Sequence, residues 1–179
     1  FTQDQSTLGK MSLLDLKAPV PISENHSLSD FDSGEPFLDE WLKKRALKNH
    51  AVGASRCFVL CKGTRVIGFY CLSAGAISHE ASPKAMRRNM PDPLPVLLLG
   101  RLAIDKQYQN QGLGRALLRD AMQRAVNIAV DAGVFAILIH AISDQAKLFY
   151  LSRGFVQSPL DPMTLLMTIE TMRAILAED

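Results

Sequence analysis

Within this 179-residue chain, the run Gln109-Asn110-Gln111-Gly112-Leu113-Gly114 has the composition of a turn that holds an anion. The strongly apolar stretch ending Arg101-Leu102-Ala103-Ile104 leads into it, and a long helical pattern opens directly after it. The start of a helix leaves backbone N–H groups unpaired and carries a partial positive charge, so it attracts phosphates. Gly112 and Gly114 lack a Cβ, which permits close approach of an anion and positive φ where the turn requires it. No Lys-Ser/Thr pair follows the glycines, which excludes a nucleoside triphosphatase loop. The spacing is not GxGxxG, and no acidic residue ends a strand about 20 positions on, which argues against a dinucleotide fold.

A second constellation is Asp144-Gln145-Ala146-Lys147-Leu148-Phe149-Tyr150, closed by Gly154-Phe155. Phe149 and Tyr150 are neighbours on a predicted helix, about 100° apart, so one is expected to face a ligand while the other packs. A phenol in a dry cavity can protonate a departing group that is poorly expelled as an anion. His140, near the end of the apolar run Phe135–Ile142, is read either as a satisfied structural histidine or as part of a solvent-linked proton relay. No carboxylate stands out as a general base.

Taken together, Leu102-Ala103-Ile104-Asp105 and Gln109-x-x-Gly112-x-Gly114-Arg115-Ala116 resemble motif A of the GNAT acetyltransferases, and the Asp144–Phe155 segment resembles motif B. The resemblance implies acetyl-CoA as the acetyl donor. It implies that Leu102, Ala103 and Ile104 line the pantetheine arm, with main-chain bonds from Leu102 and Ile104. It further implies that Gln109, Asn110, Gln111, Gly112, Leu113, Gly114 and Arg115 cradle the phosphates. Phe149 would lie beside the cofactor, and Tyr150 would protonate the coenzyme A sulfur as it leaves. The implied fold is α/β (α+β): a central, mostly antiparallel mixed sheet with one splayed strand pair and flanking helices.

Positive charge gathers in two places although the net charge is only +2. Lys43, Lys44, Arg45 and Lys48 fall on the first predicted helix, and Lys84, Arg87 and Arg88 occupy a stretch free of acids between Glu80 and Asp92. Clustered charge, rather than total charge, is what a polyanion requires. Four further blocks, together with Tyr150, are similar to the GNAT toxins of bacterial type II toxin–antitoxin systems. They are Asp32-x-Gly34-x-x-x-Leu38-x-x-Trp41-Leu42, Asn49-x-x-x-Gly53-Ala54-Ser55-Arg56-x-Phe58-Val59, Arg87-Arg88-Asn89-Met90-Pro91-Asp92-Pro93-x-Pro95-Val96 and Leu99-x-Arg101-Leu102-Ala103. That resemblance implies acetylation of the α-amino group of aminoacyl-tRNA, which blocks translation. It implies tRNA contacts from Lys84, Arg87, Arg88 and Asn89, and from Lys43, Lys44 and Lys48. It also implies a homodimer, a ribbon-helix-helix antitoxin and binding of operator DNA through the toxin–antitoxin complex, which represses its own operon. Two alternatives stay open: a small-amine or protein N-terminal acetyltransferase, and a non-catalytic nucleic-acid- or partner-binding module.

These groups must be positioned by one domain. The length suits a single core, and 47% hydrophobic with 21% charged residues is an ordinary globular balance. Residues 1–10 are set aside as a tag or foreign peptide, leaving 11–179 as the domain. No apolar run approaches the ~20 residues of a membrane span, and the first residues lack the apolar core of a signal peptide. Cys57, Cys61 and Cys71 form no CxxC pair and no metal set, so they read as buried free thiols in a reducing cytoplasm.

The expected elements are an edge strand within Leu13–Ser23, a helix Ser33–Asn49 capped by Ser33, a hairpin Arg56–Lys62 with Arg65–Ser73, and a short helix in Ala81–Asn89. A strand Pro95–Ile104 then leads to a helix Gly112–Ala132 ended by a left-handed Gly133. A covered strand Phe135–Ile142, a helix Asp144–Ser152, strands Phe155–Gln157 and Leu165–Ile169, and a last helix reaching Ala177 complete the order.

Overall fold

The computed structural model describes residues 16–178, so the segment set aside over residues 1–10 and the beginning of the strand expected from Leu13 lie outside them. Among its described residues Val20–Pro21 (β1) forms a strand, antiparallel to β2 (Arg56–Lys62). β2 (Arg56–Lys62) and β3 (Arg65–Ile77) form the expected hairpin, with β3 running four residues past Ser73. β4 (Leu94–Ile104), β5 (Ala136–His140), β6 (Val156–Gln157) and β7 (Thr164–Thr168) complete a seven-stranded sheet of order β1-β2-β3-β4-β5-β7-β6. Every pairing is antiparallel except β4 with β5.

The period-2 alternation of the strands divides the core between the two faces of the sheet. Phe58 and Leu60 point one way, and Cys57 and Val59 the other. A bulge on β3 places Ile67 as the extra residue between Val66, opposite Cys61, and Gly68, opposite Leu60, and Ile67 thereby joins Tyr70 and Leu72 on the Phe58 face. That face is covered by α3 (Leu113–Asp131), through Leu117, Leu118, Ala121, Met122 and Ala125, and by Met172 of α5 (Ile169–Ala177). Each such leucine contributes about 1.5–3 kcal/mol by leaving water. The opposite face is covered by α1 (residues 36–52), through Leu38, Leu42 and Ala46.

α1 is one continuous helix made of Pro36–Trp41, a widened π turn Leu42–Ala46, and Leu47–Val52. It therefore begins three residues later and ends three residues later than expected. Ser33 is not its cap: Glu35 holds that position with Pro36 following, where the missing N–H costs nothing. The Ser33 hydroxyl instead donates to Asp39 Oδ1 at 2.6 Å. Gly53, at φ 78°, closes the helix in the left-handed conformation.

Gly133 does not act as such a cap. Ala132 (φ −134°, ψ 146°) already turns the chain into extended backbone toward β5, and Gly133 is absent from the positive-φ glycines. The short helix in the basic stretch is α2 (Lys84–Arg87), anchored by Met86 against Leu94, Val96 and Leu138. α4 (Asp144–Ser152) has the expected bounds, and its N-cap is Ser143, whose hydroxyl accepts from the Ala146 N–H at 3.1 Å.

Candidate active site

The site begins where β4 leaves β5. The parallel pairing covers only Val96–Leu98 against Ala136–Leu138, although both strands continue beyond it. On its other edge β4 carries a bulge: Leu99 faces Leu72 and Arg101 faces Cys71, so Gly100 is the extra residue. A bulge bends and twists its strand. From Leu99 onward, β4 accordingly diverges from β5, and on that side the main chain of Leu102–Ile104 borders a cleft, while its other edge stays paired with β3. This is the splayed pair expected of the fold.

At the end of β4 the chain passes through a 3-10 turn, Lys106–Tyr108, into the glycine turn. The buried Asp105 carboxylate secures this corner, accepting the N–H groups of Gln107 (2.9 Å) and Asp32 (3.1 Å). Gln109 was expected to cradle phosphate. Its side-chain amide donates to the carbonyls of Ile104 (2.8 Å) and Ser33 (2.9 Å), so the side chain ties the turn to β4 and to the approach to α1. That bond uses one lone pair of the Ile104 carbonyl, which has a second.

Asn110 (φ 61°) and Gly112 (φ 81°) both take left-handed backbone, which folds the turn into a concave series of amides. Gly112 is the N-cap of α3 and supplies no side chain, so the first-turn N–H groups have no side-chain partner. Nothing lies within 4 Å of where a Gly112 Cβ would stand, so the space in front of the turn is open. Gly114 has ordinary helical backbone. Gln111 turns back toward the Gln107 carbonyl and lines none of the cavities described next.

Three adjoining cavities run from this turn across the splay. One of about 340 Å³ lies over Asn110, Gly112, Leu113, Gly114, Arg115 and Phe149. The next, of about 350 Å³, shares Ile104, Gln109, Gly114 and Phe149 with it and adds Leu102, Ala103 and Tyr150. The third, of about 230 Å³, shares Leu38, Leu102, Ile142, Ala146 and Tyr150 with the second and adds Phe37, Arg101 and His140.

Thus both aromatics of α4 face the cleft, not one as expected. Phe149 stands on the side of the glycine turn and Tyr150 between the second and third cavities. Tyr150 is only 7% exposed, packed edge-on by Phe149 (5.1 Å) and Phe155 (5.6 Å). Burial pushes its phenol up to about 12, so it is a protonated donor at neutral pH.

Sequence reading passed over Arg101 as a site residue. Its guanidinium lies 4.0 Å from the ring centre of Trp41, which is itself stacked on Phe69 at 6.2 Å. The third cavity contains this cation and His140 and no carboxylate. His140 Nδ1 lies 2.9 Å from Thr164 Oγ1, whose hydroxyl donates to Asp161 Oδ2 at 2.8 Å.

The residues expected to contact tRNA line none of the three cavities. Lys43, Lys44, Lys48, Lys84, Arg88 and Asn89 are exposed. Lys44 pairs with Glu40 one turn back. Arg87 is half-buried, its guanidinium donating to the carbonyls of Ser82 (2.7 Å) and Glu80 (3.3 Å), so it also holds the α2 loop together.

A splayed β4–β5 pair that runs into an uncapped, glycine-containing helix start defines a protein that binds an acyl-carrying phosphate cofactor. The chain belongs to the GNAT acetyltransferases: the family model for the acetyltransferase (GNAT) domain matches residues 53–157. It is 49% identical over 161 residues to a tRNA-acetylating toxin of Mycobacterium tuberculosis (strain ATCC 25618 / H37Rv), a match covering 90% of this chain and 97% of that protein. Among solved structures it is similar to AtaT complexed with acetyl-methionyl-tRNAfMet, with a TM-score of 0.84 and 26% identity over 90% of this chain and 99% of that one. It is also similar to a tyrosine-to-phenylalanine mutant of the AtaT toxin bound to acetyl-CoA and the C-terminus of the antitoxin AtaR. There the TM-score is 0.78 and the identity 25%, over 91% and 99% of the two chains.

Proposed function

We propose that this chain is a toxin that transfers the acetyl group of acetyl-CoA to the α-amino group of aminoacyl-tRNA. The carrying observation is the position of Tyr150, at the junction of a cavity that leads to the phosphate turn and a cavity that does not. The donor enters along β4, with its phosphates against the α3 start and Arg115 and its pantetheine beside Leu102 and Ala103. The donor supplies an activated acetyl group, and Tyr150 supplies a proton to the sulfur it leaves behind.

The acceptor is read from charge as well as from likeness to the tRNA-acetylating toxin. A cavity with Arg101 and His140 and no carboxylate disfavours polyamines and lysine side chains, which bring extra positive charge. The α-amine of an aminoacyl ester brings little, and its tRNA presents phosphates to Lys84, Arg88, Lys43 and Lys48, with Arg87, Lys44 and Asn89 in support. On this reading the protein works in the cytoplasm, where charged tRNA is found. No described helix is long and apolar enough to cross a membrane. A homodimer, a ribbon-helix-helix antitoxin and operator binding through that antitoxin belong to the same proposal.

The test is an acceptor panel with labelled acetyl-CoA. Charged tRNA should be labelled at the amino acid, while deacylated tRNA, spermidine and N-terminal peptides stay unlabelled. Label confined to free amines or peptides would replace this reading with the small-amine or N-terminal alternative.

A further inference from the structure

We propose that His140 is the group that removes the proton of the acceptor amine, held for that task by Thr164 and Asp161. The inference rests on the preceding reading only in requiring a primary amine as acceptor.

His140 ends β5 directly opposite Thr164 on β7, an antiparallel register that sets imidazole and hydroxyl side by side. Thr164 is buried, and its oxygen lies 2.9 Å from Nδ1 of His140. A threonine hydroxyl has a single hydrogen, and this one is directed at Asp161 Oδ2, 2.8 Å away. Toward His140 the oxygen must therefore accept, so Nδ1 carries the ring hydrogen and Nε2 keeps its lone pair. Nε2 has no hydrogen bond to another described residue, and His140 lines the same cavity as Tyr150.

Asp161 is a carboxylate under these conditions. The Met163 N–H and the Thr164 hydroxyl hold it below its ordinary range, with His140 and Lys147 adding to the effect. The charged and titratable groups around His140 are thus Asp161 through Thr164, Lys147 of α4 near Asp161, and Arg101 and Tyr150 across the cavity.

The resulting step balances. The amine nitrogen bonds to the acetyl carbon, and the carbon–sulfur bond breaks. The nitrogen's surplus proton passes to His140 Nε2, and the Tyr150 hydroxyl gives its proton to the sulfur. His140, which is exposed, returns its proton to solvent, and Tyr150 regains one from solvent. Two separate groups handle the two protons, and His140 and Tyr150 line one cavity.

His140→Gln, Thr164→Val and the conservative Thr164→Ser test this by kcat/KM, by the tautomer of the His140 ring read from its ¹⁵N shifts, and by thermal melts. His140→Gln should lower kcat/KM at pH 7 by about 10²-fold or more, with acetyl-CoA affinity and melting unchanged. Thr164→Val should release the ring from the Nδ1–H tautomer and lower kcat/KM with it, whereas Thr164→Ser should keep both. A His140→Gln enzyme within twofold of wild type, or a Thr164→Val enzyme whose tautomer changes while kcat/KM stays in place, would overturn the assignment. If the wild-type chain acetylates another amine instead of aminoacyl-tRNA, the acceptor reading fails, and the same measurements on that amine decide the role of His140.

Discussion

Tyr150 has two properties that pull in one direction: it is nearly enclosed by Phe149 and Phe155, and its hydroxyl borders the cleft. Enclosure keeps the proton on the phenol, and the cleft gives that proton a destination. The same enclosure links Tyr150 to stability. In the unfolded chain a tyrosine loses its proton near pH 10, whereas in the folded chain Tyr150 holds it to about 12. Between those values the folded state binds more protons, so stability falls as pH rises through the window. Tyr70, raised further by burial and by its hydrogen bond to Asp120, acts in the same sense. Denaturant melts of wild type and Tyr150→Phe at pH 8 and pH 11 should show a smaller alkaline loss in the variant. Equal losses would mean that the phenol titrates normally and is not enclosed.

The elements convert these residues into a site, and α3 with its preceding turn is the decisive one. Gly112→Ala places a methyl at φ 81°, a conformation that costs a non-glycine residue about 1–2 kcal/mol, and directs it into the space the phosphates need. Acetyl-CoA affinity measured by calorimetry should fall at least tenfold, with a melting point only a few degrees lower. Unchanged affinity would remove the turn from the donor site.

This element was legible in the sequence because its requirements are local: a strand end, a glycine with positive φ and an uncapped helix start all lie within a dozen residues. Gly133 was misread because Ala132 already leaves the helix in extended backbone, so the return toward β5 needs no left-handed residue at position 133. The π turn of α1 was invisible, since Leu38, Leu42 and Ala46 fit ordinary helical spacing. The bond from Gln109 to Ser33, the stack of Arg101 on Trp41 and the pairing of His140 with Thr164 join distant stretches of chain. No local pattern encodes which strands become neighbours, so these parts of the site appeared only in three dimensions.

For the molecule as a whole, the arrangement separates chemistry from charge. The three cavities hold the reacting groups, while Lys84, Arg88, Lys43 and Lys48 lie outside them on exposed surface. Lys84→Glu with Arg88→Glu should therefore raise KM for charged tRNA and flatten its dependence on salt by about one unit of log–log slope per lost phosphate contact. Acetyl-CoA affinity should be unaffected. A loss of donor binding in that variant would contradict the separation. Arg87 is the wrong residue for this test, because removing its bonds to Ser82 and Glu80 would also loosen the α2 loop.

The central claim is that Tyr150 delivers the proton that lets an acetyl group pass to aminoacyl-tRNA, and mass analysis of the charged tRNA pool tests it most directly. Cells expressing the wild-type chain should accumulate N-acetylated aminoacyl-tRNA and stop translating. Cells expressing Tyr150→Phe to the same level should contain little of it and keep growing. An unmodified tRNA pool with the wild-type chain, or undiminished acetylation with Tyr150→Phe, would contradict the account.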